Sequence, residues 1–285
     1  MKNMNTFAYN HGITHGGIFH ADDAFSTALC LLLNPSFTWK RVFQVPADIK
    51  DNTIVYDIGN GMYDHHQVGK RIRTNGVPYA AFGLLWEAFG HMLVPNQEDR
   101  DSFDAAFVQP LDAGDNGYSG IPDSELSRVI ADFNPDGVGV SNSDRDSAFA
   151  EAVAFAKVIL ANRFKRINSV RSDMDYVQEF MEEGKDILVL PEFHTWQVAV
   201  VGSDYKYVVY PSERGGYNVQ GVPVSLGSFD TVCPFPKEWC GLRGADLAAV
   251  TGVKGSVFCH ASGFLSVANT LEEALQLAEL SLAQG

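Results

Sequence analysis

Residues 53–59, TIVYDIG, restrict the fold more than any other segment: four β-branched or aromatic residues end in an aspartate and a glycine turn. A short apolar run bounded by turn residues reads as a buried strand, and Asp57 then emerges at its carboxyl end. RVFQVP (41–46) reads as a second such strand. DDAFSTALCLLL (22–33) places Phe25, Leu29 and Leu32 on one helical face, with acidic residues at the dipole-favoured N-terminus. VPYAAFGLLWEAFGHML (77–93) and DRDSFDAAFVQPLDAGD (99–115) follow as helices, the second interrupted by Pro110. Strand, helix and strand in alternation predict crossover units and an open, mostly parallel α/β sheet.

Residues 145–184 carry an almost unbroken helical pattern with an expected break near Asn168 and Ser169. Beyond them the texture changes: WQVAVVG, YKYVVYPS, YNVQGVPV and GSVFCHASGF read as strands, closed by the helix TLEEALQLAELSLA. The expected division is therefore residues 1–187, including the helical connector, and a smaller strand-rich α/β domain over 188–285.

Charge narrows the function. The 285 residues are 46% hydrophobic, enough for real cores, and carry 35 acidic against 21 basic side chains, a formal charge of -14. Long duplex nucleic acid is bound through a basic face, and no lysine- or arginine-rich tract exists here. A phosphate substrate must then be short and attracted locally, by metal ions or a few arginines. The N-terminal stretch MKNMNTFAYNHG lacks the apolar run of a signal peptide, and no segment approaches a membrane span. Cys30, Cys233, Cys240 and Cys259 form no CxxC pair; reduced thiols in a cytoplasmic protein are expected.

Five of the eight histidines, His11, His15, His20, His65 and His66, fall within the first 66 residues beside Asp22, Asp23, Asp57 and Asp64. Ligands of open α/β sheets bind at the carboxyl edge of the strands. If the first and third strands are neighbours, the loop carrying His15, His20 and Asp22 converges there with Asp57 and the loop of Asp64, His65 and His66. Such a set suits metal-assisted hydrolysis, in which two divalent ions about 3.5–4 Å apart activate one water and clamp phosphoryl oxygens. Imidazoles among carboxylates tilt the choice from magnesium toward manganese, cobalt or zinc. The alternative is a set of solvated polar loops; His11 and His91 fit that description, and Asp23 is expected merely to support the helix start.

The YDHHQ segment resembles the signature of the DHH phosphoesterases. THGGIFHADDA, VYDIGNGMYDHHQ, LDAGDNG, WCGLR and VFCHASGF, in that order, resemble the motifs of the Myg family, a branch with a DHH-like N-terminal domain. The resemblance runs from about residue 12 to the end of the chain. It implies a metal-dependent phosphodiesterase, a 3′–5′ exoribonuclease or oligonucleotide hydrolase acting through a hydroxide activated by two metals. Manganese is the first choice, with magnesium, cobalt and zinc as alternatives. By the same resemblance His15 and Asp22 bind opposite metals, and His20 stands where most DHH enzymes carry an aspartate. Asp57 bridges the ions, His65 is a ligand, His66 faces the phosphate, and Asp64 orients the loop from behind. In the fourth motif Asp112 and Asp115 are both candidates, Asp115 being the better match. The loop after the triplet is short, and Arg71 and Arg73, with Lys70, either hold phosphate or are solvated. Arg243, His260 and Ser262 of the C-terminal domain are the expected substrate contacts. The expected partner is short RNA or another small phosphoester, with no membrane and with self-association left open. Pyrophosphatase or nucleotide phosphoesterase activity on the same site is one competing reading; a non-catalytic metal-binding regulatory protein is the other.

Overall fold

The computed structural model describes residues 7–284; residues 1–6, on which the reading of a leader-free start partly rests, lie outside the described residues. The chain divides into two compact α/β units, Met1–Asn168 and Ser169–Gly285. In the first, β1 (His11–His15) runs into α1 (Ala21–Leu33), followed by β2 (Thr38–Val42) and β3 (Thr53–Val55). β1 lies between β2 and β3 and pairs in parallel with both. Its middle residues Gly12, Ile13 and Thr14 are all buried, as in a strand covered on both faces. A Cβ on Gly12 would come within 2.5 Å of the Phe37 ring, so only glycine lets Phe37 and Tyr56 close over the strand. The β1–β2 ladder stops at His15 opposite Val42, which is why the strand expected over 41–46 ends early and Phe43 is 71% exposed.

α2 (Ala81–Phe89), α3 (Gln97–Phe103) and α4 (Gln109–Asp115) complete the wall behind the strand ends. The interruption expected at Pro110 is a π-helical turn over Asp104–Val108. It widens the backbone just ahead of the proline, which then stands in the first turn of α4, where its missing N–H breaks no bond. α5 (Glu125–Ala131), capped by the Ser124 side chain, is seven residues long and was too short to leave a periodic signal.

α6 (Asn142–Gln178) continues through Asn168 and Ser169 without the expected break. Asparagine and serine weaken a helix by only fractions of a kcal/mol, about 0.7 at most. Here the Asn168 amide donates to the Leu93 carbonyl (2.9 Å) rather than competing for its own backbone. The division between units falls inside this helix, not near residue 188. Phe149, Val153, Ala156, Leu160 and Phe164, three or four residues apart on α6, join Phe25, Phe82, Trp86 and Phe103 in one aromatic-rich core.

The second unit contains β4 (Ile187–Val189), α7 (Gln197–Val200), β5 (Tyr207–Pro211), β6 (Tyr217–Gly221), α8 (Gly244–Thr251), β7 (Ser256–Cys259), β8 (Leu265–Ala268) and α9 (Leu271–Leu282). The sheet order is β4-β5-β6-β8-β7, parallel only between β4 and β5. Alternation along β5 divides the core: Tyr207 and Val209 pack with α9 residues Ala274, Leu277 and Ala278, whereas Val208 and Tyr210 pack with Leu188, Trp196 and Val200. WQVAVVG, expected as a strand, is a helical turn, because Trp196 and Val200 are four apart and enter the same cluster.

Candidate metal centre

The residues that could hold a metal ion gather at the carboxyl ends of β1 and β3. The chain leaves β3 through a loop whose backbone is forced into the left-handed region at Asp57 (φ 57°) and Asn60 (φ 55°). Asp and Asn tolerate that conformation better than other side-chain-bearing residues. The turn is held by Asp57 N–H donating to Tyr63 O (2.9 Å) and Asn60 N–H donating to Asp64 Oδ2 (2.6 Å). Asp64, buried, also accepts from the His66 backbone N–H and from His66 Nδ1 (3.1 and 2.8 Å).

This arrangement sets two imidazoles against one carboxylate. Asp57 Oδ2 lies 3.2 Å from His15 Nε2, and Asp57 Oδ1 lies 3.1 Å from His65 Nε2. Each imidazole is turned by a carbonyl oxygen on its other side: His15 Nδ1–H donates to Gly16 O (3.1 Å) and His65 Nδ1–H to Asn116 Oδ1 (3.4 Å). The Asn116 amide cannot flip, since its nitrogen donates to Tyr79 O and Asp112 O (3.1 and 2.9 Å). Both rings therefore present Nε2 to the carboxylates, the tautomer a metal-ligating histidine needs.

Two further carboxylates complete the groups. Asp23 Oδ2, fully buried, is 3.1 Å from His15 Nε2 and makes no hydrogen bond, while its Oδ1 accepts the His20 N–H at the start of α1 (2.9 Å). Asp115 Oδ2 is 3.1 Å from His65 Nε2. Ligand atoms lie within 4.8 Å of one another in three sets: His15, Asp23 and Asp57; Asp57, His65 and His66; and Asp22, His65 and Asp115. Asp57 and His65 are each shared between sets, so the residues can hold divalent cations. The buried Asp23 oxygen, which faces only His15 Nε2 without hydrogen-bond geometry, fits that use.

The imidazoles and carboxylates of these sets shift one another's protonation. Burial alone would raise Asp57, but His15 and His65 override it and hold it down at about 2. Burial opposes protonation of His15 and His65, yet Asp23 and Asp57 raise the first, and Asp115 and Asp57 the second, to about 11. Asp22 and Asp23 are pushed up, chiefly by burial. Without metal, protons on the imidazoles neutralise the carboxylates; a cation takes over that role when it binds.

The structure sorts the expected site residues. Asp22 accepts the Ala81 and Phe82 N–H groups at the α2 N-terminus (2.9 and 2.6 Å) and lies 3.9 Å from His65, so it anchors a helix beside the centre. His20 belongs to none of the ligand sets; it is 60% exposed at the rim, 3.9 Å from Asp115. Asp112 is turned away: its carboxylate lies 2.8 Å from Arg73 and accepts the Gly83 N–H (3.1 Å). Arg73, expected either to hold phosphate or to be solvated, is instead buried between Asp104 and Asp112 under Tyr79. Arg71 is paired with Glu87 (2.6 Å) and stacked on Tyr79. Lys70 donates to Asn116 Oδ1 (2.8 Å), and His66 is 61% exposed at the cavity lip. In the second unit Arg243 is exposed at the start of α8, over Phe258, and His260 Nδ1 accepts the Ser262 N–H (3.1 Å). Sequence reasoning gave Asp23 only a capping role and missed Asn116. The adjacency of Asp22 and Asp23 was the signal for the first: one carboxylate caps α2, leaving the next to face His15.

The fold and site define an α/β protein whose parallel-strand ends gather carboxylates around two imidazoles as a candidate divalent-metal centre. The chain belongs to the family whose MYG1 exonuclease model, described as Uncharacterised protein family (UPF0160), matches residues 12–282. The MYG1 exonuclease of Mus musculus is 28% identical over 330 residues, covering 95% of this chain and 84% of its own. The MYG1 exonuclease of Homo sapiens is 28% identical, covering 95% and 85%, and MYG1 protein C694.04c of Schizosaccharomyces pombe is 27% identical, covering 94% and 96%. The aligned stretch with the mouse protein is longer than this whole chain of 285 residues, so that relative carries insertions this chain lacks. No solved structure matches the chain. Among the described residues no helix is long and apolar enough to cross a membrane.

Proposed function

We propose that the protein is a metal-dependent phosphodiesterase of the DHH type, a 3′–5′ exoribonuclease or oligonucleotide hydrolase. The observation that carries this reading is Asp57, whose two oxygens face two different Nε2-presenting histidines, the arrangement of a carboxylate shared between two cations. His15, Asp23 and Asp57 would hold one ion; Asp57, His65 and Asp115, with Asp22 behind them, would hold the other. Manganese suits this mixture of imidazole and carboxylate donors best. Bound there, divalent ions lower the pKa of water and offset phosphoryl charge. The names of the mouse and human relatives, both exonucleases, support nucleic acid as the substrate.

The chain's own side chains do the rest. His66 Nδ1 is held by Asp64, leaving Nε2 without a partner among the described residues and free to bond a phosphoryl oxygen at the cavity lip. Asn116 keeps His65 in its ligating tautomer, and Lys70, held by Asn116, adds a cation beside the centre. Arg243, His260 and Ser262 are the substrate contacts of the second unit, Arg243 having an exposed guanidinium suited to phosphate. The acidic chain favours short RNA over a long duplex, and four free cysteines suit the reducing cytoplasm.

The test incubates manganese-loaded protein with an end-labelled RNA five-mer, the matching DNA five-mer, pyrophosphate and a cyclic dinucleotide, with His65→Ala as control. Stepwise shortening of the RNA, absent in the control, is expected. Protein that holds metal yet turns over none of the four would sink the hydrolase reading.

A further inference from the structure

A cavity of about 650 Å³ opens over the metal centre within the first unit. Its two flanks differ in chemistry. One carries His15, Asp57, Ile58, Asp64, His66 and Asp115; the other is built from Ile18, Leu111 and Ala131, with Gly114 and Ser127. Gly114 abuts Ser127, and Asn134 after α5 bonds Phe19 beside Ile18. Ile18 is 62% exposed there, and the Ser127 Oγ is buried without a hydrogen-bond partner. A Cβ on Gly114 would come within 3.3 Å of that hydroxyl, so glycine keeps this flank open. No lysine or arginine lines the cavity.

We infer that the apolar flank receives the nucleoside adjoining the phosphate under attack, gripped by Ile18, Leu111 and Ala131, with Ser127 as its polar contact. Pyrophosphate would leave this flank unused and, bearing several charges, would find no lysine or arginine in the cavity lining. A nucleoside phosphodiester brings one charge per phosphate and a flat, largely apolar base. The volume lies within the range of about 300–1,000 Å³ typical of small-ligand sites, suited to a single nucleoside beside its phosphate. A buried hydroxyl with no protein partner gains a bond when a base edge or sugar hydroxyl arrives. The inference rests on the hydrolase reading for the phosphate, but the nucleoside grip is separable from turnover.

The test titrates adenosine 5′-monophosphate and inorganic phosphate into the manganese-loaded full chain by calorimetry, comparing wild type, Ala131→Trp and Ile18→Gln. Both positions are exposed and lie on separate segments, so metal content and unfolding midpoint should stay at wild-type values. The nucleotide is expected to bind at least about tenfold tighter than phosphate. Each variant should remove that gain while phosphate affinity moves by less than about twofold. A nucleotide no tighter than phosphate, or a gain that survives both variants, would overturn the subsite. Shortening of the RNA five-mer by both variants at the wild-type rate would overturn it too, and leave the hydrolase reading standing. Conversely, a nucleotide gain lost in both variants without turnover of RNA would remove the hydrolase reading and retain the subsite.

Discussion

Asn116 shows how much of the centre depends on a residue that touches no candidate ligand oxygen. Its amide is locked by two backbone carbonyls, and its oxygen aims His65. Partners of this kind typically account for about 10–100-fold in metal affinity. Asn116→Leu is expected to weaken manganese binding by that factor, measured by competition with a chelating dye, while His15→Ala should do more. Arg73 belongs to a different category. It is 8% exposed and neutralises Asp104 and Asp112, which burial pushes up to about 7 in the case of Asp112 even with the guanidinium beside it. Removing one partner of a buried pair costs about 3–5 kcal/mol. Arg73→Met should lose stability of that order in urea; a substrate-binding arginine would lose affinity and leave stability untouched.

Among the elements, α2 and α4 are what align the site. Asp22 on α1 holds the first turn of α2 by two N–H bonds, and α2 in turn presses Gly83 against Asp112 of α4. The next turn of α4 delivers Asp115 and Asn116 to His65. A Cβ on Gly83 would meet the Asp112 carboxylate at 1.9 Å and Arg73 at 2.7 Å. Alanine is the better helix former by about 1 kcal/mol, yet the overpacking costs about 1–3 kcal/mol, and here both groups that would have to move are fixed by ion pairs. Gly83→Ala should therefore destabilise the protein in urea and weaken manganese binding together.

At the scale of the molecule, the centre makes stability depend on pH in a way that metal reverses. In the metal-free protein His15 and His65 rise from 6.5 to about 11. Their contribution is complete below pH 6.5 and is lost as pH rises through about 11. Asp57 falls from 3.8 to about 2, so its contribution is complete above pH 3.8 and is lost as pH falls through about 2. Asp22 and Asp23, raised by burial, cost stability as pH rises above 3.8, because the fold disfavours their charged forms. Urea unfolding of metal-free protein is expected to show stability declining steadily above pH 6.5. Saturating manganese should abolish or invert that slope, since it takes the deprotonated imidazoles and releases their protons.

Local chemistry was legible from the chain alone. TIVYDIG had to end in an acidic turn, the apolar patterning marked α1, α2 and α9 as helices, and the DHH triplet announced two histidines with two environments. These follow from neighbours in sequence and from the 2.0 and 3.6 residue periods, which need no tertiary information. The roles of Asp22 against Asp23, of Asp112 against Asp115, and of Arg73 were decided only in three dimensions. Each depends on a partner far along the chain: α2 for Asp22, His15 for Asp23, Arg73 for Asp112, His65 for Asp115. A carboxylate carries no mark of whether it will meet a helix N-terminus, a guanidinium or an imidazole. Packing makes that choice, because a buried charge must end beside whatever group the fold brings to neutralise it.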